Sequence, residues 1–114
     1  MVKSFTGGQI VPGDLIAISN GNYMTLGVAA GEGKGTLQYW SLHALANSRN
    51  WYDNDKRPDK KPFNIKNLWK CRILSTDSTR IMIINESVIT TEEEIEKLQK
   101  AKEILTELQI PFNF

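Results

Sequence analysis

The chain has 114 residues, with 14 Lys+Arg against 13 Asp+Glu, 40% hydrophobic and 24% charged residues. Ordinary apolar content at a net charge of +1 fits one soluble globular domain over residues 1–114, and excludes a disordered tail, a fibre or a multidomain enzyme. A chain this short buries roughly two thirds of its unfolded surface, enough for one core but not for a core plus a deep cofactor crevice.

No apolar run approaches the roughly 18 residues that span a bilayer, and the start MVKSFTGGQ lacks an apolar stretch, so neither a membrane span nor a secretory signal is expected. The lone Cys71 has no internal disulfide partner and fits a reducing compartment, so the expected location is cytoplasmic.

Residues 9–40 read as short strands. Pro12-Gly13-Asp14 is a turn that delivers the apolar run Leu15-Ile16-Ala17-Ile18, and Ser19-Asn20-Gly21-Asn22 holds an Asn-Gly pair suited to a tight turn. Tyr23 to Ala30 is the returning strand. Gly31-Glu32-Gly33-Lys34-Gly35 then reverses the chain into a third strand, Thr36 to Trp40. Residues 41–67 read as a long connection that begins with a short helical turn over Ser41 to Ser48 and continues, from 49 on, as a polar stretch punctuated by Pro58 and Pro62. A second hairpin is expected over 68–84, from Leu68-Trp69-Lys70-Cys71-Arg72-Ile73-Leu74 through a turn at Ser75-Thr76-Asp77-Ser78 to Thr79 to Ile84. In its first strand Leu68, Cys71 or Trp69, and Ile73 compete for the inward face.

A helix is predicted over 91–109. Thr90 and Thr91 each have a Glu three residues on, the capping-box pattern, and Ile95, Leu98, Ala101, Leu105 and Leu108 recur at spacings of three and four. That stripe either caps the sheet or forms a dimer seam, leaving monomer and homodimer both open. Pro111 ends it.

The candidate chemistry is sparse. Gly31 to Gly35 departs from a phosphate-binding loop, because Gly35 follows Gly33-Lys34 where Ser or Thr belongs, Val28 stands in the place of the leading Gly, and a strand follows instead of a helix. A hairpin turn is the expectation there, with a nest for a small nucleotide as the weaker reading. His43 is the only histidine, no Cys or His cluster has metal-ligand spacing, and Cys71 sits in an apolar strand. Asp53, Asp55 and Asp59 lie among lysines as solvated ion pairs. No catalytic, metal or cofactor residue is therefore assigned, and the chain is read as a non-enzyme.

What stands out is charge asymmetry. Residues 49–72 carry eight basic and three acidic side chains, a net of +5, while 91–107 carry six Glu and three Lys, a net of −3. Rings interleave with the cations: Arg49, Trp51, Tyr52, Lys56, Arg57, Lys60, Lys61, Phe63, Lys66, Trp69 and Lys70, with Tyr39 and Trp40 just upstream. Cations neutralise phosphates and flat rings stack on bases for about 1–3 kcal/mol each, which is what a nucleic-acid surface requires. The same residues serve equally as an ordinary solvated loop with rings closing a barrel end, or as a protein-partner surface, since Trp, Tyr and Arg anchor interfaces.

The stretch Val11-Pro12-Gly13-Asp14-Leu15-Ile16-Ala17-Ile18 through Gly27-Val28-Ala29-Ala30-Gly31 resembles the opening of small KOW- and Tudor-like barrels. The layout of hairpins plus a capped acidic helix also resembles small accessory proteins of large tailed phages. These resemblances imply a binding module, often for nucleic acid or for transcription and translation machinery, and transfer no catalytic residue.

The expectation is thus an α+β domain: a small, strongly bent antiparallel sheet or open five-stranded, Src homology 3-like barrel, with the C-terminal amphipathic helix packed across it. Its expected function is non-enzymatic binding of nucleic acid or a nucleic-acid-associated complex through Arg49, Trp51, Tyr52, Lys56, Arg57, Lys60, Lys61 and Lys66. The alternative is a protein-protein inhibitor or adaptor acting on a host enzyme.

Overall fold

The run Leu15-Ile16-Ala17-Ile18 is apolar at every position because both of its faces are covered. The computed structural model describes residues 8–33, 36–53, 70–74 and 79–114. In it, strand β1 (Leu15–Asn20) sends Leu15 into one buried cluster and Ile16 and Ile18 into a second, as successive strand residues point to opposite faces. Its antiparallel partner β2 (Tyr23–Gly33) pairs Tyr23 with Asn20, so Gly21 and Asn22 form the two-residue loop. Gly21 takes φ 63°, the positive angle that a type II′ turn places at its first position.

Strand β3 (Thr36–Ser41) pairs with β2, but the ladder skips Ala30: Ala29 faces Tyr39 and Gly31 faces Gln38. Gly31 at φ 148° accommodates this bulge, and Gly31 to Gly33 belong to the strand, where a turn had been expected from Gly31 on. Lys34 and Gly35 lie outside the described residues. Helix α1 follows over Leu42–Asp53, so the first part of the expected connection is a helix of 12 residues and not a short turn ending near Ser48.

Strands β4 (Cys71–Leu74) and β5 (Thr79–Ile83) do not form the expected hairpin with each other. β4 pairs with β3 and β5 with β1, in the order β4-β3-β2-β1-β5, antiparallel throughout. A short polar turn reads alike in both arrangements. What decides is burial, since β5 places Ile81 beside Ile16 and Ile18.

The connectivity also shows how strongly the sheet bends. Leu74 lies opposite Thr36, at the far end of β2, while Thr79 lies opposite Asn20, at its start. In a flat sheet these points would stand about 19 Å apart across the strands and about 33 Å along β2. Five Cα steps separate the two residues in the chain and reach at most about 18 Å. The sheet must therefore curl, and a bulge of the kind at Ala30 and Gly31 bends its strand locally.

Helix α2 (Glu92–Glu107) starts at Thr91, whose hydroxyl oxygen accepts the Glu94 N–H at 3.3 Å, one of the two expected caps. Its buried face is Leu98, Ala101, Ile104 and Leu105, packed with Leu15, Val28, Trp40, Leu42 and Leu45. The stripe is thus used within the chain as a cover over one sheet face. Ile95, expected inside, is 41% exposed.

The helix ends in a Schellman motif, in which the Ile110 N–H reaches the Leu105 carbonyl at 2.9 Å and the Gln109 N–H reaches that of Thr106 at 3.1 Å. Gln109 pays for it with φ 59°. Beyond it the tail ties back to the first turn. The Asn113 N–H donates to the Gly13 carbonyl at 2.9 Å, and Asn113 Nδ2 donates to Asp14 Oδ1 at 3.0 Å. Asp14 Oδ2 also accepts the Val11 N–H at 2.9 Å, which explains a buried carboxylate at this point.

Candidate binding surface

The expected cationic and aromatic residues divide into two groups. Arg49, Trp51 and Tyr52 fall on the C-terminal half of α1. Lys56, Arg57, Lys60, Lys61 and Lys66, with Phe63 and Trp69, lie outside the described residues. The described chain resumes at Lys70, which is exposed and enters β4.

Both ends of that segment are attached to firm structure. α1 begins directly from β3, with the Ser41 hydroxyl oxygen capping the Ala44 N–H at 3.0 Å and with Leu42 and Leu45 buried against α2. The Ser48 hydroxyl donates to the Leu45 carbonyl at 2.8 Å, and Asn47 Nδ2 donates to that of His43, also at 2.8 Å. At the other end, Lys70 holds its ammonium 5.7 Å from the Trp40 ring centroid. β4 is a sheet edge among the described residues.

The two rings just upstream are not free platforms. Trp40 is 4% exposed and belongs to the main core, where its Nε1 is buried without an acceptor among the described residues. Tyr39 is half-buried beside Cys71, its cross-strand partner. Burial pushes the Tyr39 hydroxyl above its usual range; negative charge on the Cys71 sulfur and their shared hydrogen bond push it further.

The acidic helix neutralises much of itself. Lys97 lies 3.3 Å from Glu93 and 4.0 Å from Glu94, Lys100 lies 3.2 Å from Glu96, and Lys102 pairs with Glu86. Such surface pairs contribute about 0–1 kcal/mol each to stability. Their larger effect is that the helix lysines are held by nearby carboxylates, and the +5 segment remains the concentrated charge of the chain.

Two features escaped the sequence reading. Tyr23 and Met24 are 80% and 69% exposed just past the β1–β2 loop, although a strand position had marked them as ordinary sheet residues. A cleft of about 240 Å³ lies beside Met24, between β2 and the starts of α1 and α2. The one available signal was the loop itself, because residues next to a hairpin tip project from a sheet.

Among the described residues, no three His, Cys, Asp or Glu side chains converge as a metal site would require, and no helix is long and apolar enough to cross a membrane. Comparison of the chain with family models, curated proteins and solved structures finds no match.

Proposed function

We propose that this protein is a non-enzymatic binding module that contacts nucleic acid, or a complex containing it, through the basic and aromatic segment 49–70. The observation that carries the reading is where that segment falls in the chain: with seven basic and three acidic residues, a net of +4, it runs from α1 to β4, an edge strand among the described residues. Long connections held by a rigid frame are where binding residues concentrate. Lys56, Arg57, Lys60 and Lys61 would meet phosphates, with Arg49 and Lys66 extending the track, and Trp51 and Tyr52 would stack on bases. The strand order, the bulged β2 and the second apolar cluster support an open Src homology 3-like barrel as the scaffold. A cytoplasmic setting, where Cys71 stays reduced, goes with this reading.

Fluorescence anisotropy with single- and double-stranded oligonucleotides at two salt concentrations tests it. Replacing Lys56, Arg57, Lys60 and Lys61 together by Ala should lower the salt slope by about 3–4. No affinity at low salt, or affinity indifferent to the four substitutions, refutes it.

A further inference from the structure

We infer that a cleft between the bulge of β2 and the start of the C-terminal tail binds a small uncharged ring compound with one carbonyl oxygen, which accepts the Trp40 indole N–H. Pro12, Ala29, Ala30, Trp40, Ile110 and Pro111 give the cleft an apolar lining. Among the described residues no charged side chain lines it, and Gln109 is its one polar side chain besides the indole. At about 230 Å³ it is smaller than the roughly 300–1,000 Å³ of sites for cofactors and drug-sized ligands, yet larger than the roughly 150 Å³ apolar cavity that holds benzene. A one-ring body therefore fits.

Three irregularities of the chain meet at this cleft. Ala30 is the residue that the β2–β3 ladder skips, and Gln109 holds a φ of 59°, which residues with side chains rarely adopt. Bulges and strained backbone gather at binding sites. The third irregularity selects the ligand. Trp40 is 4% exposed, and its Nε1 has no acceptor among the described residues, so folding has taken a donor from water without giving it a partner. A carbonyl oxygen brought into the cleft that Trp40 lines supplies that partner, and the Pro, Ala and Ile surface around it takes the ring. A charged or many-sided polar ligand would lose its water without finding partners here. A nucleobase, with several polar groups on its edges, is such a ligand, so this site is separate from the segment 49–70.

The test records proton–nitrogen correlation spectra of the full chain with acetophenone and with α-methylstyrene, in which a methylene group replaces the carbonyl oxygen at nearly the same shape. Acetophenone should shift the Trp40 indole N–H downfield in a saturable way and bind about two- to tenfold more tightly than α-methylstyrene, which should produce no downfield shift of that proton. Benzoate, with the same ring and a negative charge, should leave it in place. Trp40→Phe keeps a ring and removes the donor, so acetophenone and α-methylstyrene should then bind alike, as followed through the Ala30 amide. Because that variant touches the core, the comparison on the native chain decides by itself. The inference fails if α-methylstyrene binds the native chain as tightly as acetophenone, if the indole proton stays still when acetophenone moves the Ala30 and Ile110 amides, or if benzoate binds as well as acetophenone. Acetophenone that moves none of these resonances also refutes it.

Discussion

Replacing Gly13 by Ala probes the joint on which both ends of the fold rest. Gly13 has φ +95°, and a Cβ there would stand 2.9 Å from the Pro111 carbonyl oxygen and 3.1 Å from the Phe112 Cα. Holding a side-chain-bearing residue at such an angle costs about 1–2 kcal/mol. Both obstructing atoms are backbone, so the tail itself must move, which weakens the Asn113 bonds to Gly13 and Asp14 at 2.9 and 3.0 Å, each contributing about 1 kcal/mol. The combined loss of about 3 kcal/mol is a large part of the stability of a domain, typically about 5–15 kcal/mol, and lowers Tm by about 10–20 °C. Urea titration and thermal melting followed by circular dichroism measure it. A chain ending at Ile110 separates the contributions, because without the tail only the backbone strain of about 1–2 kcal/mol should remain. Equal losses with and without the tail would refute the proposed coupling between Gly13 and residues 111–113.

Gln109→Gly should stabilise the protein by about 0.5–1 kcal/mol, since φ 59° costs a glycine nothing and the Schellman bonds are backbone only; an unchanged or lower urea midpoint contradicts this. Tyr39 gives a pH dependence. Its hydroxyl holds its proton more tightly folded than unfolded, because of burial first and Cys71 second, so its contribution is complete below about pH 10 and is lost as pH rises through its folded pKa. Urea midpoints at about pH 8 and about pH 11 should therefore differ more for the native chain than for Tyr39→Phe, and equal differences remove the argument.

The elements that could be read from the residues alone were those whose signal is local. The Thr91 cap, the apolar spacing of α2 and a tight turn within Ser19-Asn20-Gly21-Asn22 each follow from a few neighbouring side chains, and each is present, the turn with Gly21 and Asn22 as its loop. Pairing between strands was not local. Residues 68–84 read as a hairpin because a polar turn separates two apolar runs, yet β5 joins β1 on the far side of the sheet. The choice depended on where Ile81 is buried, and no neighbour in sequence reports it. Trp40 was left open between a binding surface and the core for a related reason. It stands beside a basic segment in the chain, but as a β3 residue it faces Leu15, Val28 and α2. Nearness in sequence to cations says little about a strand residue, whose face is set by the register two strands away.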